Sequence, residues 1–580
     1  MTSFPSARIE DSRRLMGPNL YGERPGAVLE ICGSPDELLA LTEGWVAAVQ
    51  RLFRALDLGE AVTHSRSSIS GASLFVASPV EVLMTATEIS EQAWALAESE
   101  VDATGALVSR LRGLAAEERA SRPNLARAYD AAIERGVLVT FDDELLTIGS
   151  GEGSVSWPLA DVPPVEAIPW ASIRDVPIAL VTGSNGKTTT TRLIAAMWRA
   201  TGRSAGWSCS DGVWVDAEQL DAGDYSGPAG ARVVLRDRRV QAAVLETARG
   251  GVLRRGLAPS RADVAIITNV SADHFGEYGV TSIEELAEVK SVVARPLGPT
   301  GCLVLNAGDA RLVALAQRLS CRIAWFSAAA ENTTLGAHVT RGGDAALVEG
   351  GRVIVWCSGS RHDLGGVSAM PLTLGGSAAH NVENILGAAL AGAVAGAPVE
   401  AIRETLAHFG ESPEDNPGRL QSYRFGGMTV LVDYAHNPGG LEVLCETARA
   451  FPAVRRLLLL GQAGNRDDDQ LRALARVVLG VLPFDHVIIK EMPTMLRGRQ
   501  AYDVPRVLAD ELAGLGVPGE RIEIIEGETA AVRRALEWSR DGDLLVLPVH
   551  VDKQAVLALL SALTSSGWTP GADFSHILPS

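Results

Sequence analysis

Residues 176–191 read VPIALVTGSNGKTTTT, and this stretch decides the fold of the chain around it. An apolar, partly β-branched run over 178–181 is typical of a buried strand. A glycine turn follows it, and the apolar spacing beyond Lys187 predicts a helix over 188–201. Glycines let backbone N–H groups close on phosphates, and the start of a helix adds partial positive charge. The order of strand, glycine turn, Lys-Thr and helix therefore indicates a nucleotide site.

The predicted phosphate-binding residues are those of the turn and of the first helical positions: Gly183, Ser184, Asn185, Gly186, Lys187, Thr188 and Thr189. We expect Lys187 to reach the terminal phosphates and the Thr188 hydroxyl to hold Mg²⁺. The strict phosphate-loop pattern has a Gly six residues before the Lys, where this chain has Val181. A plain glycine-rich turn between a strand and a helix is the alternative.

Composition narrows the class of protein. At about 150 residues per domain, 580 residues predict three or four domains. The formal net charge of −18 argues against a nucleic-acid or anionic-membrane partner. Six scattered cysteines without a C-x-x-C pair indicate reduced thiols, so we expect a cytoplasmic protein. The N-terminus lacks the apolar core of a signal peptide, and the apolar run 385–399 is too short to span a membrane.

The chain divides by pattern into three predicted domains. Residues 1–165 form a separate α+β domain, with helices over 37–56, 80–101 and 122–135 and a Ser-rich loop, THSRSSISGAS, at 63–73. The Gly-Ser stretch GSGEGS at 149–154 is predicted to begin a linker.

Strands then alternate with helices twice, over 166–412 and again over 413–580, which predicts two α/β domains with mostly parallel sheets. The predicted strands of the first are 178–182, 232–236, 242–246, 264–268, 302–305, 322–326 and 353–357, and its helices include 188–201, 282–296, 309–319 and 380–396. The second is predicted to be Rossmann-like, with strands over 428–433, 455–460, 486–490, 521–525 and 543–547.

Carboxylate and histidine side chains follow two of the predicted central strands. Glu246 ends a strand within AVLETARGGVLRRGL, at the sheet edge where ligands bind, and its oxygens suit Mg²⁺. The alternative is a solvated strand-end Glu, although Arg249-Gly250-Gly251 after it offers an anion-binding turn. Asp273-His274 follows the strand of IITNVSADHFGEYG, where a metal or catalytic role and a structural role both stay open.

The remaining candidates lie later in the chain. Lys290 sits in a predicted helix, where a surface lysine is the simplest interpretation. Asn381 and Asn384 share a helix face and could bind a base. Asp433 ends a strand, so its carboxylate could bind a ribose hydroxyl, and Arg419 could contact the terminal phosphate.

The phosphate-loop turn and the candidate residues after it occur in an order that makes residues 175–580 resemble the Mur ligase family. Within that family, the resemblance is to the cyanophycin synthetases. The matching segments are GSNGKTTTTRL, SDGVWVD, GDYSGP, VLETARGGVLRRGL, DHFGEYG, EVKSVV, LNAGD, NPGR, VDYAHNP and GNRDDD. RRLMGPNLYG at 13–22 also resembles the opening of the N-terminal domain of cyanophycin synthetases. The resemblance implies a central P-loop Mur ligase domain and a Rossmann-like C-terminal domain.

The resemblance also implies roles for individual residues. Lys187 and Thr188 would bind phosphates and Mg²⁺, and Glu246 and His274 would hold metal. Lys290 matches a lysine that family members can carbamylate, which positions a second metal ion. Lys187, Glu246, His274 and Lys290 are the implied catalytic set, with Asn381, Asn384, Arg419 and Asp433 serving the nucleotide. The implied cofactors are ATP and two Mg²⁺ ions.

One departure from the cyanophycin synthetases concerns their second ATP-using domain. Residues 134–157 resemble the lead-in to an ATP-grasp domain, but the chain continues directly into the ligase portion. The resemblance therefore does not by itself imply a polymerase with two alternating reactions. Residues 491–499, EMPTMLRGR, also lack the signature of diaminopimelate-adding ligases, which argues against a cell-wall role.

The sequence thus predicts an ATP-dependent amide ligase that activates a carboxylate as an acyl phosphate and joins it to an amine. By resemblance, the substrates are an aspartyl side chain and arginine or a related pair. Arg249, Arg254 and Arg255 could contact an acidic substrate or simply pack. Two alternatives remain: a ligase with other small substrates, and a catalytically silent ATP-binding subunit that regulates or scaffolds a separate ATP-grasp enzyme. The partners expected beside the substrates are a second copy of the chain in a homo-oligomer or a companion ATP-grasp enzyme.

Overall fold

The computed structural model describes residues 7–68, 71–99, 101–271, 277–329 and 331–575. The chain divides into two compact units. The first comprises Met1–Gly366 and Glu383–Ala407, and the second comprises Val367–Val382 and His408–Ser580. Within the described ranges, no helix combines the length and the apolar character needed to cross a membrane.

The first unit begins with a four-stranded antiparallel sheet in the order β1-β2-β4-β3, called here the N-terminal sheet. Its strands are β1 (Arg8–Leu15), β2 (Gly26–Cys32), β3 (Thr63–Ser67) and β4 (Gly71–Ala77). Alternate residues of β2 and β4 pack against helices α1 (Pro35–Ala55) and α2 (Leu83–Ser99), where Trp45 and Trp94 are fully buried. Helix α3 (Gly105–Ser121) follows.

The predicted Ser-rich loop at 63–73 is wrong, because its described residues lie mostly in β3 and β4. Every residue of β3 pairs with β4 through antiparallel backbone contacts. β3 is an edge strand whose side chains are mostly exposed, so its polar composition is that of a protected sheet edge.

A short helix and a small sheet connect this sheet to the phosphate strand. They comprise α4 (Leu125–Glu134), β5 (Val139–Phe141), β6 (Leu145–Ile148) and β7 (Val155–Pro158). The stretch 149–154 is packed rather than solvated: Ser150 and Ser154 are buried, and the Glu152 N–H donates to the Val240 carbonyl at 2.8 Å. A Cβ added at Gly151 would lie 2.2 Å from that same carbonyl oxygen, which accounts for glycine there.

The core of the first unit is an eleven-stranded sheet in the order β11-β10-β9-β12-β8-β13-β14-β15-β16-β17-β18. Its strands are β8 (Ile178–Thr182), β9 (Ala205–Cys209), β10 (Gly212–Val215), β11 (Glu218–Asp221), β12 (Ala242–Glu246), β13 (Ala262–Ile267), β14 (Leu297–Asn306), β15 (Arg322–Ser327), β16 (Ala345–Glu349), β17 (Arg352–Cys357) and β18 (Ser360–Gly366). The strands from β9 to β16 run parallel, and antiparallel strands close both edges. This confirms the predicted mostly parallel α/β sheet.

Eight helices follow in chain order: α5 (Lys187–Ala200), α6 (Pro228–Arg236), α7 (Arg249–Arg255), α8 (Ile283–Ser291), α9 (Ala310–Ala316), α10 (Thr333–Thr340), α11 (Ala379–Val394) and α12 (Val399–His408). The prediction of a strand at 232–236 is wrong, since these residues end α6. Ala231, Val234 and Leu235 are buried at helical spacing, and Pro228 stands at the helix start, where its missing N–H costs nothing. Arg249-Gly250-Gly251 is likewise the first turn of α7 rather than a free turn.

The second unit is built on a six-stranded sheet in the order β19-β20-β24-β21-β22-β23. Its elements are β19 (Gln421–Phe425), β20 (Met428–Asp433), α13 (Pro438–Arg449), β21 (Arg456–Leu460), α14 (Asp468–Val481), β22 (His486–Glu491), α15 (Asp503–Gly514), β23 (Ile522–Glu526), α16 (Glu528–Trp538), β24 (Leu544–Pro548) and α17 (Lys553–Ser566). All pairs are parallel except β19 with β20. Apolar clusters fill both faces, as the Rossmann-like prediction requires.

Candidate functional site

The glycine turn after β8 is shaped by two close approaches. Gly186 has φ +82°, and a Cβ there would lie 2.1 Å from Asn384 Oδ1. A Cβ at Gly183 would lie 1.8 Å from Thr268 Oγ1. Neither position has room for a Cβ, so each requires glycine.

Lys187 begins α5, and its ammonium folds back onto the turn. Nζ donates to the carbonyl oxygens of Gly183 at 3.1 Å and Ser184 at 2.9 Å. No side-chain hydrogen bond caps the start of α5 among the described residues. The first-turn N–H groups and the lysine therefore suit a polyphosphate.

Oxygen atoms from three elements meet beside the helix start. The Thr188 hydroxyl donates to Glu246 Oε2 at 2.8 Å and lies 3.2 Å from Ser210 Oγ. The Ser210 N–H lies 3.4 Å from the same carboxylate oxygen. Glu246 is 2% exposed, which rules out the solvated strand-end Glu. Sequence reasoning missed Ser210, although it opens the SDGVWVD segment directly after β9.

The residues that follow β13 form hydrogen bonds with the glycine turn after β8. Thr268 Oγ1 donates to the Asn185 carbonyl at 2.6 Å, and Asn269 Oδ1 accepts the Asn185 N–H at 3.0 Å. Ser184 Oγ donates to the Ser271 carbonyl at 3.0 Å. Thr268 and Ser271 were not predicted, and the polar run TNVS after an apolar strand is the signal that could have indicated them. Asp273 and His274 lie outside the described residues.

Lys290 lies in the last turn of α8 and is 5% exposed. This burial contradicts the simplest interpretation of a surface lysine. Asn384 is 6% exposed and belongs to the first unit, where its amide lies against Gly186 as described above. Both residues are therefore buried within the first unit.

The three arginines after Glu246 have different surroundings. Arg249 is buried and forms an ion pair with Glu277. Arg254 Nε donates to the Tyr278 hydroxyl at 2.9 Å, while Arg255 is exposed on the same helix. Arg249 and Arg254 thus hold the segment 277–279 through their side chains, in line with the packing alternative.

In the second unit, Asp433 ends β20 beside Arg419. The Leu420 N–H donates to Asp433 Oδ2 at 2.7 Å, and the Arg419 guanidinium stacks 4.3 Å above the Tyr434 ring. Burial raises the pKa of Asp433, and Arg419 opposes that shift. Asn381 belongs to this unit too, where its amide donates to the Leu372 carbonyl at 3.0 Å.

A buried ion pair organises the loop after β24. Lys490 and Glu528 pair with their side chains almost fully buried, and Lys490 Nζ also donates to the Pro548 carbonyl at 2.7 Å. Glu528 accepts the backbone N–H groups of His550, Val551 and Asp552. His550 Nε2 in turn donates to the Ala435 carbonyl at 2.9 Å, which joins this loop to the one after Asp433.

The donor set in the first unit fits a magnesium ion. Thr188 and Ser210 hydroxyls and the Glu246 carboxylate are the hard oxygen ligands that Mg²⁺ prefers, and nucleotide phosphates commonly complete such sites. Across the described ranges, no group of three or more His, Cys, Asp and Glu side chains has metal-binding geometry. His274, which the family resemblance adds to the set, lies outside those ranges.

Comparison with known proteins identifies the class. Residues 181–392 match the Mur ligase middle domain, and residues 418–548 match the Mur ligase glutamate ligase domain. Together these matches cover more than half of the chain. The chain belongs to the Mur ligase family, as predicted.

Among individual relatives, cyanophycin synthetase from Nostoc sp. is 37% identical over 393 residues, which are 67% of this chain and 43% of that protein. UDP-N-acetylmuramoyl-L-alanyl-D-glutamate–2,6-diaminopimelate ligase from Chlorobaculum tepidum is 28% identical over 464 residues, 76% of this chain and 84% of that protein. The structure of E. coli FolC in complex with ADP covers 67% of this chain and 90% of its own, with 17% identity and a TM-score of 0.48. The chain spans less than half the length of the cyanophycin synthetases that it matches.

Proposed function

We propose that the protein is an ATP-dependent carbon–nitrogen ligase that activates a carboxylate as an acyl phosphate and joins it to an amine. The observation that carries this proposal is the hydrogen bond from Thr188 at the start of the phosphate-loop helix to buried Glu246. A plain structural turn has no need of a buried carboxylate aimed at its first hydroxyl. The named relatives, a cyanophycin synthetase and a diaminopimelate ligase, support the same class of reaction.

In the first step, a substrate carboxylate oxygen attacks the γ-phosphorus of ATP. A carboxylate–phosphorus bond forms and the bond to the β-phosphate oxygen breaks, which releases ADP. Lys187 and the backbone N–H groups after Gly186 bind the phosphates and oppose their growing charge. Thr188, Ser210 and Glu246 would hold Mg²⁺, with His274 as a further ligand, and the bound ion would neutralise phosphate charge.

In the second step, an amine attacks the acyl carbon and loses a proton, and inorganic phosphate leaves. Positioning of the two substrates and neutralisation of the developing charge supply the rate acceleration in such a reaction. Asn384, Asn381, Arg419 and Asp433 are proposed to bind the nucleotide. Lys290 is the proposed carbamylated lysine that positions a second metal ion, and its burial favours a functional role over a surface one.

We propose an aspartyl side chain as the carboxylate and arginine or a related amino acid as the amine, by similarity to cyanophycin synthetase. The alternative, a silent ATP-binding subunit beside a separate ATP-grasp enzyme, is disfavoured because Lys187, Thr188 and Glu246 are all present and Glu246 contacts Thr188. A cytoplasmic location and a homo-oligomer stay predictions.

The direct test is ADP release with pools of amino acids and aspartyl peptides, with products identified by mass. We expect ADP release that requires both a carboxylate and an amine. Glu246→Gln should lower kcat by at least about 100-fold, because it removes a charge from the phosphate site. Glu218→Gln, an exposed substitution on the edge strand β11, is the matched control and should keep wild-type activity. Tight ATP binding without amine-dependent ADP release would instead support the silent subunit.

A further inference from the structure

Arg13 connects the N-terminal sheet to two elements near the proposed active site. It lies on β1 and is 7% exposed. Its Nη2 donates to Glu30 Oε1 at 2.5 Å and its Nη1 donates to Asp11 Oδ2 at 3.0 Å. Its Nε donates to the Leu253 carbonyl at 2.9 Å, within the last turn of α7. A cation at the carboxyl end of a helix satisfies a carbonyl that has no partner within the helix.

The same guanidinium packs 4.6 Å above the ring of Tyr278. Tyr278 adopts φ +52°, a strained backbone conformation for a residue with a side chain. Its hydroxyl accepts a hydrogen bond from Arg254 of α7, and the neighbouring Glu277 pairs with Arg249 of α7. Arg13 therefore closes a network in which β1, α7 and the segment 277–279 hold one another.

A second contact from the N-terminal sheet fixes the start of α8. Arg66 of β3 pairs with Glu285 at 2.8 Å, with both side chains mostly buried. Glu285 completes the capping box of α8 with Ser282, and α8 carries Lys290. On the other side of the network, α7 begins three residues after Glu246. The N-terminal sheet thus contacts α7 and α8. Helix α7 follows the proposed catalytic residue Glu246 in the chain, and α8 carries Lys290.

We propose that Arg13 is a positioning residue of the ligase reaction, acting through α7 and Tyr278 on the elements that carry Glu246 and Lys290. This inference rests on the proposed function. Under this proposal, the N-terminal sheet holds the segment 277–285 and α7 in the geometry that the reaction requires. Burial of a guanidinium with every nitrogen engaged favours such a role, because a merely solubilising arginine would extend into water.

The experiment compares Arg13→Met with Arg14→Met. Arg14 is the adjacent residue of β1, but it pairs at 2.7 Å with Asp143, whose side chain is 60% exposed. For Arg13→Met we expect kcat to fall at least about tenfold with the KM for ATP within twofold of wild type. The contacts of Arg13 are with Asp11, Glu30, Leu253 and Tyr278, and not with the residues proposed to bind the nucleotide. Arg14→Met should match wild type in both kcat and KM. Arg13→Lys should stay impaired, since lysine cannot reproduce the planar fork.

Two measurements keep the test decisive if Arg13→Met is unstable or the wild type is inactive. The double variant Arg13→Met/Glu30→Gln removes the carboxylate charge that the single substitution would leave without its arginine, and it should show the same loss of kcat. Hydrogen exchange should become at least about tenfold faster over 249–255 and 277–291 in Arg13→Met but not in Arg14→Met.

Unchanged kcat in both Arg13→Met variants, or unchanged exchange over those ranges, would overturn the proposal. An equal loss of kcat in Arg14→Met would also overturn it. Absence of ADP release by the wild type would refute the proposed function itself, and with it the catalytic role of Arg13. In that case faster exchange in Arg13→Met would establish only the anchoring contact.

Discussion

His550 shows how one buried side chain can make the stability of the second unit depend on pH. Its Nε2 donates to the Ala435 carbonyl, and its Nδ1 is buried with no hydrogen-bond partner among the described residues. A proton added to Nδ1 would therefore have no acceptor. Burial and the nearby Lys490 ammonium hold the pKa of His550 well below its usual range.

The sign of the pH effect follows from this lowered pKa. Above pH 6.5 the histidine is neutral in both the folded and the unfolded chain. Below pH 6.5 only the unfolded chain takes up the proton, so the free energy of unfolding falls as the pH falls. We expect His550→Asn to lose about 1 kcal/mol less stability than wild type between pH 7.5 and 5.5, as measured by denaturant unfolding.

The matched control for this prediction is His408→Asn. The His408 side chain is 68% exposed at the end of α12, so the variant should keep the pH dependence of the wild type. His380, whose pKa burial lowers to about 4, stays in both variants and cancels from the comparison. Equal pH dependence in His550→Asn and wild type would contradict the account.

At the scale of elements, the turn between β8 and α5 combines two requirements that only glycine meets. Gly186 needs a positive φ, and it also needs room for the Asn384 amide of α11. Gly202, just beyond the other end of α5, has φ +81° but no heavy atom within 4 Å of the position of an added Cβ. A substitution at Gly202 would therefore cause backbone strain alone, whereas a substitution at Gly186 would cause both backbone strain and a steric clash.

We therefore predict different outcomes for Gly186→Ala and Gly202→Ala. Each should lower the free energy of unfolding by about 1 kcal/mol through backbone strain. Gly186→Ala should also weaken ATP binding at least about tenfold, because its Cβ displaces Asn384 and the phosphate turn, whereas Gly202→Ala should bind ATP within twofold of wild type. Calorimetric titration with a non-hydrolysable ATP analogue would check this, and equal affinities in the two variants would refute it.

The elements that sequence predicted well are those whose apolar period is unambiguous. The buried strands β8, β12 and β13 and the alternation of strands and helices after residue 428 follow directly from the apolar pattern of the sequence. The run at 232–236 failed because a short β-branched segment satisfies both periods, and Pro228 at the helix start decides between them. β3 failed because an edge strand is polar, so its composition resembles that of a loop.

The candidate site likewise contains residues that the sequence predicted and residues that it did not. Gly186, Thr188 and Glu246 were predicted because their residue types follow strands at the ligand-binding edge of the sheet. Ser210 was missed because its role depends on β9 lying beside β12, which only sheet order reveals. The Arg13 network was missed because it joins residues more than 200 positions apart, and no local pattern indicates such a contact.

At the scale of the whole molecule, each unit carries part of the proposed machinery. The first holds the phosphate turn, the Thr188–Ser210–Glu246 oxygens and Lys290, on a sheet whose neighbours include the N-terminal strands. The second holds Asp433, Arg419 and Asn381, and it has a separate sheet with its own apolar cores. The matches to a Mur ligase middle domain and a Mur ligase glutamate ligase domain within one chain support the proposed reaction of a carboxylate with an amine.

Isotope transfer tests that chemistry most directly. An aspartyl peptide with ¹⁸O in its side-chain carboxylate is incubated with the protein, ATP and arginine, and the released phosphate is analysed by mass. An acyl phosphate intermediate predicts one ¹⁸O atom transferred to inorganic phosphate for each amide bond formed. In Glu246→Gln, amide formation and ¹⁸O transfer should both be at least about 100-fold slower. Amide product accompanied by unlabelled phosphate would contradict the central claim.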